Sequence, residues 1–240
     1  MNAFAATVFS LLLFACSAPE AVVTPQCPSA QAERVIPEKM NARFKDPAMN
    51  PLDFVDRFEG ESRGISIHRE AISAALSFTS GMHVADIGAG TGLFLPFLTA
   101  AVGDSGKVYA VDISPRFVEY MQVRVAAADM TQVEVVTCTE TSTALAENSI
   151  DRAFICDTYH HFSYPQQTMQ SLHQALRARG EVVIVDFERI PGVSREWILG
   201  HVRASKEEVI LEIESYGFTL LKEVKNLGLN ENYFLVFQKR

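Results

Sequence analysis

One stretch limits the folds open to this chain more than any other: Met82 to Gly92, M-H-V-A-D-I-G-A-G-T-G, followed by the apolar helical pattern of Leu93 to Val102. A short hydrophobic strand ending in Asp86 runs into three glycines, Gly88, Gly90 and Gly92, and then into a helix. Glycines suit that junction because the backbone must turn sharply and because a Cβ would hold a bound nucleotide or nucleoside off the main chain. The unit therefore predicts an α/β sheet with a ligand loop at a strand's carboxyl end. The dinucleotide fingerprint G-x-G-x-x-G/A would need a small residue where Leu93 stands, so that motif is absent.

The next strand, Lys107 to Asp112, ends in a second acid. It lies about 20 residues beyond Gly92, the spacing of a ribose-hydroxyl acceptor. Asp112 could instead cap the helix from Ser114; the glycine loop in register one unit upstream favours the ribose reading. Together the elements D-x-G-x-G-x-G, Asp86 through Gly92, resemble motif I of the class I S-adenosylmethionine-dependent methyltransferases. The resemblance implies that Gly88, Ala89, Gly90 and Gly92 pack against the methionine and ribose parts of the cofactor. It also implies that Asp86 helps to hold the amino group and that Asp112, with Ile113 beside it, belongs to the cofactor site. Near the third strand, Thr137 to Thr143, Glu140 is the candidate for the family's acidic contact near adenine, although this stretch departs from the common G-D pattern.

Beyond the loop the alternation is regular. Strands are predicted near 82–87, 107–112, 132–137, 150–156, 180–187, 218–224 and 232–238, with helices near 91–102, 114–128, 164–178 and 205–216. Val182 to Val185 is continuously apolar, as a strand buried on both faces must be. The connection Lys225–Glu231 is too short for a crossover helix, so the last two strands should pair antiparallel. The expected architecture is a doubly wound, mostly parallel seven-stranded sheet, a Rossmann-like methyltransferase fold with a C-terminal antiparallel hairpin.

Ligands of open α/β sheets bind outside the strand ends at the switch point, which directs attention to Ser149–Phe162, S-I-D-R-A-F-I-C-D-T-Y-H-H-F. This run resembles the family's motif at the fourth strand, with Asp151 at its start. Asp157, Tyr159, His160 and His161 follow, a polar cluster in an unusual place for core. Methyl transfer from a sulfonium is a displacement at carbon, so the protein aligns the nucleophile and removes a proton where needed. His160 or His161 can act as the base, Tyr159 can orient cofactor or substrate, and Asp157 serves either site. Adjacent side chains point to different sides, so one histidine of the pair is expected to face the pocket. Asp157 and Asp186 end neighbouring strands and loosely resemble the Mg²⁺-holding carboxylates of catechol O-methyltransferases; nearby histidines would allow other divalent ions. The preferred reading contains no metal.

Two flanking segments leave alternatives open. Asn50–Leu76 carries Arg57, Glu59, Glu61 and Arg63 beside Phe54 and Phe58, and either folds over the cofactor, as in the resembled family, or forms a solvated amphipathic helix. Ser194–Arg203 offers Arg195, Trp197, His201 and Arg203 to an anionic or planar substrate, or uses Trp197 to anchor a lid. His173 is expected at the surface.

The chain's 240 residues suffice for one domain plus a tail. A net charge of −8 and no basic run disfavour nucleic acid and leave a small molecule or a protein as partner; the resemblance implies a small-molecule methyl acceptor. Ala3–Ala15 is apolar but too short to span a bilayer, and it ends L-F-A-C at Cys16. That ending resembles the lipobox of bacterial lipoproteins, which implies cleavage before Cys16, lipidation there, and an exported, membrane-tethered domain. An ordinary secretory signal, or a mis-assigned start before a cytoplasmic enzyme, are the alternatives. Residues 17–47 are proline-rich and read as a linker, with the domain over 48–240. Cys138 and Cys156 should end strands about three spacings of ~4.8 Å apart, beyond the ~7 Å limit for a disulfide. The sequence is thus similar to the small-molecule, type 11-like methyltransferases, nearest those related to quinone biosynthesis enzymes. A non-catalytic exported lipoprotein with the same ligand-binding fold is the rival. A nicotinamide-dependent oxidoreductase is disfavoured by Leu93 and the terminal hairpin. No residue indicates the oligomeric state.

Overall fold

In the computed structural model, which describes Met1, residues 34–60 and residues 63–240, the alternation of apolar runs closes into one sheet. Its strands are β1 (His83–Ile87), β2 (Lys107–Asp112), β3 (Val133–Thr137), β4 (Ile150–Cys156), β5 (Leu176–Phe187), β6 (Phe218–Glu223) and β7 (Asn232–Lys239), in the order β3-β2-β1-β4-β5-β7-β6. The first five pair parallel, and β7 lies antiparallel between β5 and β6. The expected fold class and terminal hairpin are both present. The helices are α1 (Lys39–Lys45), α2 (Leu52–Glu59), α3 (Gly64–Ile67), α4 (Arg69–Ala75), α5 (Leu95–Val102), α6 (Pro115–Ala127), α7 (Pro165–Ala175), α8 (Glu196–His201) and α9 (Lys206–Ser215).

Residue alternation along the strands explains the two layers. Ala85, Ile87, Ile155 and Ile184 face one side and pack with Met169 and Leu172 of α7 and Ile213 of α9. Val84, Val108, Phe154 and Val183 face the other and pack with Ile72, Leu95, Leu98 and Met121. Both faces of the central strands are covered, which is why their sequences read as unbroken apolar runs. Helix α5 starts at Leu95, later than expected, because the chain is still turning through Gly92, which has φ +80°. Strand β5 starts at Leu176 and cuts α7 short of its expected end at 178.

Strand order reverses between β1 and β4, and the crevice at that switch point receives the chain leaving β1, β2 and β4. The linker expected through Pro47 ends earlier. Val35 donates its N–H to Ser163 O at 2.9 Å, Ile36 is buried, and Phe44 of α1 packs on the aromatic cluster of Phe54, Phe58 and Phe117. The segment carries few apolar residues because a handful of anchors, with polar contacts, hold it across the strand ends. The signal segment, Cys16, Cys27, the linker up to residue 33 and Glu61 lie outside the described residues. Among the described residues no helix is long and apolar enough to cross a membrane. His173, expected at the surface, packs edge-on against Phe218 at 5.3 Å. Cys138, just past the end of β3, and Cys156, the last residue of β4, are free thiols, and β2 and β1 lie between those two strands.

Candidate active site

The glycine loop is shaped first by its own packing. Gly88 has φ +76°, and a Cβ there would overlap the Thr158 side chain at the end of β4. Gly92 does not line the crevice, contrary to its expected cofactor contact; a Cβ there would lie 2.8 Å from Leu95 Cδ1. Its role is to let the turn close onto α5. Arg124 holds the loop from outside, donating to Thr91 O at 2.9 Å and to Glu59 of α2.

Inside lies a cavity of about 1170 Å³ whose walls include Asp86, Gly88, Ala89, Gly90, Asp112, Ile113, Asp157, His160 and His161. The two strand-end acids differ in their bonding. Asp112 accepts from the Gly90 N–H and the Ser114 N–H, each at 2.8 Å. It therefore fastens the loop and the start of α6, so the capping and ligand readings are combined in one side chain; Ser114 is the N-cap proper, accepting from the Phe117 N–H. Burial pushes the Asp112 carboxyl up to about 6 despite those donors. Asp86 is 3% exposed, and among the described residues its carboxylate meets no hydrogen-bond donor. Burial, with the Asp112 carboxylate next to it, pushes it up to about 7. The Thr91 hydroxyl, on the same wall, also lacks a partner. An acid that faces the cavity and makes no hydrogen bond among the described residues, with a buried unpartnered hydroxyl beside it at a glycine turn, is what a ligand with an ammonium group and hydroxyls would complete. The residues present thus fit the methionine and ribose ends of S-adenosylmethionine.

Glu140 is on the wall but committed elsewhere. Its carboxylate takes Arg34 at 2.7 Å, Lys45 at 2.7 Å and the Ser163 hydroxyl at 2.7 Å. Although burial opposes it, these donors lower its carboxyl to about 2. These contacts clamp the N-terminal segment, which the sequence could not announce because the three partners are far apart along the chain.

Past β4 the chain makes a single 3₁₀ turn, Tyr159–His161, in which successive side chains diverge by about 120°. Tyr159 turns into the core and donates to Glu212 at 2.9 Å, under Arg203. It does not line the cavity, so its expected orienting role is not supported. Both histidines do, where one was expected. The His160 N–H and Nδ1–H donate to Asp186 at 3.0 and 2.7 Å. Burial disfavours its imidazolium, but the Asp186 carboxylate outweighs that and raises its pKa. His161 donates Nδ1–H to Asn41 Oδ1 at 2.9 Å. Burial, then His160, His201 and Arg57, drive His161 down to about 2. Asp157, with φ +49°, is ion-paired to Arg63 and accepts from Asn232 at 3.1 Å. Burial raises its carboxyl even against Arg63.

The strand-end acids are therefore already satisfied: Asp186 by His160 and the Phe187 N–H, Asp157 by Arg63 and Asn232. They are poor candidates for the Mg²⁺ pair. Asp151 lies at the opposite strand ends, bound to Arg177 and the His83 N–H. The pre-strand segment does fold over the site, bringing Arg57, Phe58 and Arg63 to the wall. Trp197, 42% exposed, stands edge-on to Phe187 at 4.9 Å and also lines the cavity. Its cationic neighbours are spent, Arg195 on Glu231 and Arg203 on Glu212. Asn41 and Asn232 as site residues carry no local sequence signal, and Asp186, marked by its strand end only as a possible metal ligand, instead holds His160; each acts through a partner distant in the chain.

Comparison with known proteins agrees with this geometry. No curated protein matches the chain. A structure described as a SAM dependent methyltransferase from Aquifex aeolicus is 24% identical, with TM-score 0.70, covering 80% of this chain and 99% of that one. The [4+2]-cyclase SpnF is 15% identical with TM-score 0.61, covering 75% and 84%. A possible exported protein from Bordetella parapertussis is 14% identical with TM-score 0.60, covering 86% and 80%. These likenesses show the fold. Residues 85–184, which run from β1 through the core of β5 and include both strand-end acids and the histidine turn, match the family model described as a methyltransferase domain.

Proposed function

We propose that this protein transfers a methyl group from S-adenosylmethionine to a small-molecule acceptor. The observation that carries the reading is the Asp86 side chain, 3% exposed and without a hydrogen bond among the described residues, set in the same cavity as the glycine loop and Asp112. S-adenosylmethionine brings an electrophilic methyl on a sulfonium, so the reaction needs alignment more than activation. Asp86 would take the amino group, and Asp112, with lone pairs left after its two backbone bonds, the ribose hydroxyls. Ala89 and Ile113 supply apolar wall beside them. Phe58, Trp197 and Phe187 give the remaining cavity an aromatic lining suited to a planar acceptor. His160 is the strongest base at the wall, because Asp186 holds its Nδ1–H and stabilises the imidazolium formed when the other nitrogen accepts a proton. Asp157 holds Arg63 on one oxygen and Asn232 on the other and so positions both side chains at the wall.

Calorimetry with S-adenosylmethionine and S-adenosylhomocysteine tests the cofactor site. Asp112→Ala should weaken both by about 10- to 100-fold, because it removes a ligand acceptor and frees the Gly90 N–H that sets the loop. A folded wild-type chain that binds neither would leave the exported binding-protein reading in front. The [4+2]-cyclase SpnF shares this fold, so acceptor methylation must be measured separately.

The reading also includes export as a lipoprotein through Cys16, supported by the apolar stretch ending in L-F-A-C. One structural neighbour, from Bordetella parapertussis, is itself described as a possible exported protein. Cell fractionation should find the wild type with membranes and Cys16→Ser released from them; unchanged partition of the variant would remove the claim.

A further inference from the structure

We propose that His160, His161 and His201 form a site for a divalent transition ion of the Zn²⁺ class, open to the cavity at one coordination position. One ring nitrogen from each of the three lies within 4.8 Å of the others. The rings are packed together, with centroids 4.3, 5.2 and 5.0 Å apart. His161 Nε2 and His201 Nε2 are 3.4 Å apart. Two imidazole nitrogens bound tetrahedrally at ~2.0–2.1 Å stand about 3.3 Å from one another, so this pair already has the edge length of such a site.

What surrounds the rings points the same way. A ligating imidazole usually donates its other N–H to a carboxylate or carbonyl, which fixes the tautomer and ring angle. His160 gives Nδ1–H to Asp186 at 2.7 Å, and His161 gives Nδ1–H to the Asn41 amide oxygen at 2.9 Å. Each is left with Nε2 as a lone-pair donor. Asp186 is 1% exposed and Asn41 5% exposed, so both orienting groups are built into the fold and are not surface accidents. The three histidines come from two separate elements, the 3₁₀ turn and the end of α8, and all of them line the cavity. Three neutral nitrogen ligands with one position open to a binding cavity is the arrangement of catalytic rather than structural sites, and imidazole selects zinc, copper, nickel or iron over magnesium.

This extends the methyl-transfer reading and rests on it for one point only, the ligand at the open position. There an oxygen or sulfur of the acceptor would coordinate, its proton passing to solvent as the bond to the ion forms. In the loaded protein His160 is then a ligand and not the proton acceptor.

The test is titration of the metal-stripped full chain with Zn²⁺ by calorimetry and with Co²⁺ by absorption, beside His201→Ala and His161→Ala. The expected result is one Zn²⁺ per chain, visible bands of four- or five-coordinate Co²⁺, and affinity lowered at least ~10-fold by either variant. Asp186→Asn should weaken binding by about 10- to 100-fold, as loss of an orienting partner does. Circular dichroism verifies that each variant is folded; His201, at the end of a short helix, is the substitution least disruptive to the core. No Zn²⁺ binding by the folded wild type, or equal binding by both histidine variants, overturns the proposal. S-adenosylhomocysteine titrated into the same samples reports on the cofactor site independently: its failure to bind would sink methyl transfer and leave the metal site standing, and the reverse outcome would return His160 to the role of base.

Discussion

Asp86→Asn is expected to separate stability from binding: the variant should fold more tightly than the wild type above pH 7 while losing affinity for S-adenosylmethionine by about 100-fold. Among the described residues Asp86 is buried without a donor, and burial with the neighbouring Asp112 raises its carboxyl from 3.8 to about 7. Ionising it in the fold is therefore unfavourable, on the order of 4 kcal/mol at high pH. The sign follows from proton counting. Between pH 4 and 7 the native state holds a proton that the unfolded chain has released, so stability falls as pH rises through that window and is level above it. An uncharged amide removes the penalty but is itself buried with unfilled donors, at about 1–3 kcal/mol. A net gain of ~1–3 kcal/mol should remain at pH 8 and disappear near pH 4.5, read by urea unfolding at the two values. Binding should go the other way, because loss of one partner of a buried charge pair costs about 2–5 kcal/mol. A variant that binds as well as wild type would remove Asp86 from the site. The arrangement is a stability–function trade-off, in which an unfavourable buried charge is held ready for a cationic ligand.

The second large effect is expected at Gly88. Gly88→Ala should destabilise the fold by about 2–5 kcal/mol: ~1–2 from an L side chain in left-handed backbone and ~1–3 from overlap with Thr158. Denaturant unfolding gives the first number, and S-adenosylhomocysteine titration should show binding lost because the loop must shift. The double variant Gly88→Ala with Thr158→Ala separates two reasons for the glycine. The Thr158 atoms that this second change removes are the nearest to the missing Cβ, but Thr158 Cβ remains 2.9 Å from it, so the double variant should regain part of the ~1–3 kcal/mol overlap cost and part of the binding. Recovery of stability without binding would mean that a close-lying ligand, and not the β4 turn, excludes the side chain.

These two positions show how far the site could be read in advance. Asp86 and Asp112 were identifiable because each ends a short apolar strand at a fixed distance from a glycine turn, a local pattern in which spacing alone sets geometry. Glu140 lines the cavity, but its clamp on the N-terminal segment was not legible because its partners Arg34, Lys45 and Ser163 come from elements that sequence distance cannot bring together. Tyr159 and the histidine pair show a subtler limit. The run Y-H-H was visible, but which side chains enter the cavity depends on the turn being 3₁₀ and on Asp186 and Asn41 waiting behind the rings.

The sequence by itself determined the fold class, the strand and helix order, the terminal hairpin and the cofactor-loop candidates. All of these follow from periodicities and turn residues that act within about thirty residues, a range over which the backbone's few allowed conformations leave little choice. Only the tertiary structure decided that residues 34–47 pack on the domain, that Gly92 serves packing, that both His160 and His161 face the cavity, and that His201 joins them. Those outcomes depend on which buried polar groups find partners across the crevice. Buried hydrogen-bonding demand must be met by whatever the fold places within ~3 Å, and that is a property of the assembled chain.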